Sequence, residues 1–322
     1  MINNKDENPI LTAPLKPKLI SPLTLIDTHC HINVMIKEKF DTLLKPEEFE
    51  LAKQIEKDSE LEGIKYILNV GTSIVECINC INLAKQNKNM FAAVGIHHCD
   101  ITSDWKSDLK KIREFLTNKE ENKLFTNTKK ENKHLANNNG QEGKRFTNKI
   151  VCIGECGLDM YHRQDTIAEQ KDLLKAQIEL ALEYKLTLSI HMRQATEQMH
   201  YLLEEFKKDN LTGVMHCFPE NKEFADYVIG LGLLVGIGGP ITYPKNITLQ
   251  ETVAHIALDK IILETDAPYL PPQSIRGKQN HPKYIVEIAK QVAKIKNVSF
   301  EEVAEQTTKN ALNLFKFDKF TN

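Results

Sequence analysis

The sequence predicts an α/β fold, the TIM or (β/α)8 barrel, and three observations support that prediction. Eight short runs are rich in Ile, Val and Leu and apolar on both faces, as parallel strands covered by helices are. Amphipathic helix patterns fill most of the intervals between these runs. With 322 residues, 41% of them hydrophobic, the chain is also long enough for a barrel, which typically takes about 250 residues.

The predicted strands alternate with helices along the chain. In order, the strands cover residues 23–26, 64–70, 91–96, 150–153, 186–189, 212–215, 233–237 and 260–263. The clearest helix patterns cover residues 167–184, 195–208, 221–230 and 247–256. In a (β/α)8 barrel the carboxyl ends of the strands meet at one rim, where catalytic residues gather. Polar side chains that follow the predicted strands are therefore the candidates for a functional site.

Six side chains of metal-binding type stand at the ends of predicted strands one, four, five, six and eight. They are His29, His31, Glu155, His191, His216 and Asp266. Each taken alone reads as a capping or hydrogen-bonded residue, but four imidazoles with two carboxylates are the inventory of a two-metal hydrolytic centre. His29 and His31 share one face, because strand side chains alternate with a period of two. The sequence thus predicts a barrel of the metal-dependent hydrolase type.

The residues around these side chains resemble the signature blocks of the TatD family of metal-dependent deoxyribonucleases. The similar blocks are Asp27-Thr-His-Cys-His31, Gly154-Glu-Cys-Gly-Leu-Asp159, His191-Met-Arg193, His216-Cys-Phe218, Gly238-Gly-Pro-Ile-Thr242, Glu264-Thr-Asp-Ala-Pro-Tyr-Leu270, and Arg276-Gly-Lys278 with Asn280. The resemblance runs from about Leu25 to Phe315, is broken by one insert, and is specific as a set.

This resemblance implies two divalent metal ions and a nucleic acid substrate, DNA above all. In the family, the positions of His29, His31, Glu155 and Asp266 hold one ion. Those of Glu155, His191 and His216 hold the other, so that Glu155 bridges the two. Mg²⁺ and Mn²⁺ are favoured, and Zn²⁺ stays open because imidazole also tolerates it.

The resemblance also implies a reaction, commonly the removal of nucleotides by a 3′-to-5′ exonuclease. Glu155 and Asp266 are then the catalytic candidates. Asp266, as both ligand and proton acceptor, is expected to orient the attacking water.

Three further side chains are candidates for binding the substrate. His97 falls at the end of predicted strand three and matches a family position that contacts substrate. Arg193 and Arg276 can grip phosphate oxygens through the guanidinium fork, with a surface ion pair as the alternative for each. The family usually has Pro and His where this chain has His98 and Cys99, so His98 is open between a second contact and a solvent-exposed loop residue.

Two carboxylates close to the ligands are expected to support them. Asp159 is expected to orient a ligand, with a helix cap or a loop salt bridge as the alternative, and Glu264 to be buried with a partner beside the site. Trp105 opens an amphipathic helix and is expected to pack there rather than stack on a base. Cys77 and Cys80 form a C-x-x-C inside a helix pattern, without the second pair that a zinc knuckle needs.

Composition limits the partners and the compartment. The formal net charge is −2 and the pI is near 6.6, unlike the basic surface of a general nucleic-acid binder. Seven cysteines, an odd number, suit a reducing cytoplasm, and no segment has the apolar length of a membrane helix or the pattern of a signal peptide. We therefore expect a cytoplasmic protein without membrane contact; its oligomeric state stays open.

The chain is expected to form one barrel domain over residues 23–317, with two additions. Residues 1–22 are interpreted as a loose N-terminal extension. Residues 118–149 are rich in Asn and Lys, and such a composition buries too little apolar surface to fold by itself. We expect a disordered insert there. The alternative is a basic arm for nucleic acid, because the segment has more Lys and Arg than Glu.

Two other functions fit the same residues. A metal-dependent amidohydrolase or esterase acting on a small molecule needs the same water-activating ligands. A non-catalytic binding barrel is the second alternative, and the presence of all six ligands argues against it. Arg193 and Arg276 discriminate the first alternative, because their loss should damage cleavage of nucleic acid far more than cleavage of a neutral ester.

Overall fold

The computed structural model of the chain describes residues 23–117 and 149–320. The predicted extension at residues 1–22 and nearly all of the predicted insert at 118–149 lie outside these ranges. Lys149, the last residue of that insert, is described and buried, and its Nζ donates to the backbone carbonyls of Asn87 and Lys88 at 2.7 and 2.8 Å.

Eight parallel strands form a single sheet in which each strand pairs with its neighbour in the chain, so the predicted TIM barrel is confirmed. They are β1 Leu25–Cys30, β2 Ile64–Val70, β3 Met90–Val94, β4 Ile150–Asp159, β5 Thr187–Arg193, β6 Gly213–Met215, β7 Leu233–Ile237 and β8 Ile261–Leu263. β1 meets the end of β8, where the Thr28 hydroxyl donates to the Leu263 carbonyl at 2.9 Å. This contact brings the first and last strands together.

Helices cover the outside of the sheet, and their apolar faces pack on it. Within the described ranges they are α1 Ile32–Met35, α2 Pro46–Leu61, α3 Ile74–Gln86, α4 Trp105–Thr117, α5 Ile167–Tyr184, α6 Thr196–Glu204, α7 Lys222–Gly230, α8 Ile247–His255, α9 Ile285–Lys296 and α10 Phe300–Phe315. Trp105 packs partly buried against the core, and Cys77 and Cys80 are buried in α3, as expected. Among the described residues, no helix combines the length and apolarity needed to cross a bilayer.

Three strands extend further toward their carboxyl ends than the apolar runs predict. The predicted ends at residues 26, 153 and 189 become Cys30, Asp159 and Arg193. The ladder between β4 and β5 continues through the pairs Gly157–His191 and Asp159–Arg193. The prediction was wrong there because backbone pairing persists where the side chains turn polar. His29, Glu155 and His191 therefore lie within strands, whereas His31 directly follows β1.

Aromatic rings close the barrel at the amino ends of the strands. Phe317, just after α10, packs against Phe91 with ring centroids 4.5 Å apart, and Tyr66 and Phe315 complete the cluster. All four side chains are nearly inaccessible to solvent. The opposite end, at the carboxyl ends of the strands, carries the polar site.

Candidate metal centre

The end of β1 and the residue that follows it bring the first two predicted ligands into the same space. His29 and His31 direct their Nε2 atoms to within 3.2 Å of each other. Nδ1 of His31 lies 2.9 Å from the carbonyl of Val70, and Nδ1 of His29 lies 3.1 Å from Oγ of Ser189. A ring whose Nδ1–H donates to a carbonyl keeps a lone pair on Nε2. The anchors therefore leave metal-binding lone pairs facing the barrel axis.

Glu155, on β4, divides its two carboxylate oxygens between two groups of histidines. Oε2 lies 3.5 Å from Nε2 of His29 and 3.7 Å from Nε2 of His31. Oε1 lies 2.9 Å from Nδ1 of His191 and 3.8 Å from Nε2 of His216. The two oxygens thus face different imidazoles, since Oε1 also has Nε2 of His97 at 3.4 Å, and this division suits a bridging carboxylate.

Asp266 follows β8 and completes the set. Its Oδ1 lies 3.4 Å from Nε2 of His31 and 3.7 Å from Nε2 of His216. Its own backbone N–H donates to the carbonyl of His29 at 2.9 Å, which ties the residue to β1. The structure therefore brings all six predicted ligands together.

The electrostatics keep both carboxylates ionised. Burial opposes the charge on Glu155, but the imidazoles of His97 and His191 hold its pKa well below the ordinary value. Burial likewise opposes the charge on Asp266, and His216 and His31 keep the pKa of that carboxyl lowered. Two anions are thus available in a site that is nearly closed to solvent.

The donors fit divalent cations. Ligand atoms held about 2.0–2.2 Å from one ion lie about 3–3.6 Å from each other, close to the separations described above. Two triads, His29 with His31 and Asp266, and His29 with Glu155 and His216, each offer ligand atoms within 4.8 Å of one another. Without a cation, such a density of lone pairs and negative charge is unfavourable in a buried site.

Two further carboxylates contact the ligands from behind, as expected. Oε1 of Glu264 lies 2.9 Å from Nδ1 of His216 and accepts the backbone N–H of Cys217. Oδ2 of Asp159 lies 3.5 Å from Nε2 of His191. Carboxylates in such positions orient a ligand ring and raise its basicity.

At the end of β3 the structure excludes one of the two alternatives for His98. His98 is not a solvent-exposed loop residue: it is 1% exposed, and its Nε2 lies 3.2 Å from Oδ2 of Asp159, which covers it. His97 lines the cavity above the ligands, and its Nε2 lies 3.4 Å from Oε1 of Glu155, so its predicted contact with the substrate stays a prediction. It can also form a triad of possible ligands with Glu155 and His191.

A cavity of about 750 Å³ opens above these ligands. Arg193 lies in its wall, with the guanidinium 4.2 Å from the ring centre of the exposed Tyr161. Phe40 and Tyr269 supply exposed aromatic surface at the same cavity. Arg276 is not among the described residues that line the cavity. Its guanidinium lies 4.4 Å from the ring centre of Tyr243 instead.

Sequence reasoning missed two buried polar residues that organise the site. Asp27 accepts the hydroxyl of Thr265 at 2.5 Å and its backbone N–H at 3.0 Å, which joins β1 to the segment after β8. Ser189 anchors His29. The period of two would have found both, because Asp27 shares a strand face with His29, and Ser189 with His191.

Comparisons with known proteins agree with this site. A family model described as TatD related DNase matches residues 26–316. The uncharacterized metal-dependent hydrolase YabD of Bacillus subtilis is 31% identical, over 91% of this chain and 100% of its own length. YcfH of Escherichia coli, named in the same way, is 28% identical over 91% of this chain and 96% of its own.

A solved structure shows the same fold. The crystal structure of YjjV, a TatD homologue from Escherichia coli, superposes with a TM-score of 0.73 at 23% identity. The superposition covers 92% of this chain and 99% of that one.

Proposed function

Since the chain belongs to the TatD-related DNase family, whose curated members are metal-dependent hydrolases, we propose that it hydrolyses phosphodiesters and removes nucleotides from the 3′ end of DNA. The observation that carries this proposal is the division of the Glu155 carboxylate, which offers one oxygen to each of two histidine pairs. Two divalent cations held by these residues would stabilise the charge on the attacking and the leaving oxygen of a phosphodiester.

His29, His31, Glu155 and Asp266 would hold one ion, and Glu155, His191 and His216 the other. Mg²⁺ or Mn²⁺ is our choice for both, because each site includes carboxylate oxygen. When bound, the ions lower the pKa of the attacking water and neutralise the charge that develops on the phosphate.

The chain's own groups then do the remaining work. Asp266 has its carboxylate beside the Nε2 atoms of His31 and His216, so it can orient the water and accept its proton. The water oxygen forms a new bond to phosphorus as the bond from phosphorus to the 3′ oxygen of the preceding deoxyribose breaks. His97, which lines the cavity next to Oε1 of Glu155, would donate a hydrogen bond to a phosphate oxygen.

Substrate binding would rest on local features, because the formal net charge of −2 gives little long-range attraction. Arg193 lies in the cavity wall and can form two parallel hydrogen bonds with a phosphate. Arg276 lies outside that wall, so it would contact only a DNA substrate long enough to extend beyond the cavity. We also place the enzyme in the cytoplasm; seven free cysteines support a reducing compartment.

The decisive experiment follows both ends of one substrate. Single-stranded DNA labelled at either the 3′ or the 5′ end is given to metal-stripped protein, with Mg²⁺, Mn²⁺ or Zn²⁺ added back. We expect the 3′ label to be released first, only with metal. Asp266→Asn should lose at least about 100-fold in rate while keeping its thermal midpoint, because general-base groups typically contribute 10²–10⁴-fold.

Other outcomes would overturn the proposal. If no metal supports DNA cleavage while a small amide or neutral ester is hydrolysed, the protein is an amidohydrolase-type enzyme. Arg193→Ala refines the test: it should raise the KM for DNA about 10-fold or more and leave hydrolysis of a neutral ester unchanged. Equal losses with both substrates would exclude a phosphate-binding role for Arg193.

A further inference from the structure

A second group of metal-binding side chains lies beside the proposed catalytic centre. We call His98, Asp159 and His162 the Asp159 cluster. Asp159 is the last residue of β4, His98 follows β3, and His162 lies in the loop after β4. His98 and Asp159 are each 1% exposed, whereas the His162 side chain is 47% exposed. The cluster is therefore built into the fold and open to solvent on one side.

The Asp159 carboxylate is held in place by the backbone. Its Oδ1 accepts the N–H groups of Tyr161 and His162, each at 2.7 Å. The buried side chain of Gln170 fixes the same loop, since it accepts the N–H of Asp159 at 2.8 Å and donates to the carbonyl of Arg163 at 2.7 Å. One oxygen is thus committed to the loop, and the other, Oδ2, points toward the imidazoles.

Oδ2 faces the two histidines of the cluster at ligand-like distances. It lies 2.8 Å from Nδ1 of His162 and 3.2 Å from Nε2 of His98. One ligand atom from each of the three residues lies within 4.8 Å of the others. A single ion can therefore reach all three side chains without a change of backbone.

His98 is poorly satisfied by protein atoms alone. Its Nδ1 is buried, and in the described part of the chain it finds no hydrogen-bond partner. If Nε2 carries the proton, the Nδ1 lone pair has no partner; if Nδ1 carries it, the Nε2 lone pair faces an anionic oxygen. A cation between Nε2 and Oδ2 removes the repulsion of the second tautomer.

We propose that the Asp159 cluster binds one additional divalent transition-metal ion, with Zn²⁺ as the best match, outside the two-metal centre. Two imidazoles and one carboxylate form a ligand set that Zn²⁺ uses, with water in the fourth position. Mg²⁺ prefers oxygen ligands and would bind there weakly. The thiol of Cys99, 3.0 Å from Nε2 of His98, adds a soft donor at the edge of the site.

His191 connects this ion to the catalytic centre. Its Nε2 lies 3.5 Å from Oδ2 of Asp159, and its Nδ1 lies 2.9 Å from Oε1 of Glu155. The additional ion would therefore place positive charge one imidazole ring away from Glu155. Because it lies beside the cavity wall that includes Cys99, it is suited to attract the phosphates of a polyanion.

The test counts bound metal rather than activity, so it is independent of the proposed reaction. Metal-stripped protein is titrated with Zn²⁺ by calorimetry, and the metal content is measured after desalting. We expect three Zn²⁺ per wild-type chain and two for His162→Gln, whose exposed side chain can change without disturbing the core. His200→Gln is the matched control, because His200 is an exposed histidine outside the cluster, and it should keep three.

Two results would overturn the inference. Wild type and His162→Gln could bind the same number of ions, or His200→Gln could lose as much as His162→Gln, which would indicate unspecific surface binding. A second variant, His98→Asn, should lose the same single equivalent as His162→Gln. Titration with Mg²⁺ should give no third binding event, and a third Mg²⁺ would contradict the assignment of a nitrogen-rich zinc site.

Discussion

Oε1 of Glu264 lies 2.9 Å from Nδ1 of His216, on the side of the ring that faces away from the proposed metals. The carboxylate is fully buried, and a side chain at Gly236 would collide with it, since a Cβ there would lie 2.6 Å from Oε2. The missing side chain at Gly236 therefore provides the space that the Glu264 carboxylate fills. Its negative charge makes the ring of His216 a better electron donor.

Glu264→Gln should weaken metal binding without changing the shape of this space. The amide oxygen can still accept the backbone N–H of Cys217, but the side chain no longer carries the charge beside His216, and losses of about 10- to 100-fold in metal affinity are typical. Competition with a metal indicator dye measures the effect. Glu205→Gln on the exposed surface is the control. Unchanged metal affinity in Glu264→Gln would show that Glu264 only orients the ring of His216 and that its charge does not contribute.

Glu155→Gln tests the bridge. An amide offers one acceptor oxygen, so one of the two histidine pairs would face an NH₂ group instead of an anion. We expect at least one equivalent of Mn²⁺ to be lost and hydrolysis to fall by about 100-fold or more, the range for a lost catalytic group. Metal analysis after desalting, together with the DNA assay, gives both numbers. Full occupancy with near-normal turnover would exclude a bridging role.

Gly157→Ala should destabilise the barrel. At Gly157 φ is +158°, and a Cβ would lie 2.0 Å from the carbonyl oxygen of His191, so β4 and β5 would have to separate. We expect a loss of more than about 3 kcal/mol in the free energy of unfolding, as for other severe clashes.

Gly230→Ala is the matched control for this change. It lies at the end of α7, where a new Cβ meets nothing within 4 Å. Its unfolding in urea should differ from wild type by less than about 1 kcal/mol. If Gly157→Ala unfolds at the wild-type urea concentration, the close approach of β4 and β5 is not required.

His281 should make the folded state sensitive to acid. Its Nδ1 accepts the N–H of Lys283 at 3.1 Å, and burial together with the charge of Lys283 lowers its pKa from 6.5 to about 4. As the pH falls from about 6.5 to 4, the unfolded chain binds a proton that the folded chain does not, so stability is lost in that interval.

His281→Asn keeps an accepting oxygen at this position but does not titrate. The free energy of unfolding of wild type, relative to this variant, should therefore be constant above about pH 7 and decline as the pH is lowered to 4. Urea unfolding at several pH values measures the difference. Parallel pH profiles for the two proteins would refute the prediction.

The sequence predicts the existence of every strand, because each is marked by its own apolar run. It does not predict where β1, β4 and β5 end, because hydrogen bonding continues past the last apolar side chain to Cys30, Asp159 and Arg193. For the same reason, the apolar runs predict that His29, Glu155 and His191 follow their strands, whereas all three lie within them.

The site's surroundings depend on contacts between distant segments, and these are harder to predict. Buried His98, which follows β3, contacts Asp159 at the end of β4. Arg276 belongs to a matching motif, yet its loop directs it onto Tyr243 and away from the cavity. Residue type and spacing therefore identify the ligands, while their neighbours require the assembled barrel.

The six ligands are spread over the chain from His29 to Asp266, and the last of them is fixed by a backbone hydrogen bond to the first. During synthesis, a growing chain would hold an incomplete centre until Asp266 has emerged and β8 has met β1. Partly made or truncated barrels would therefore lack a complete set of metal ligands. The set of metal ligands is therefore completed only when the whole barrel has folded.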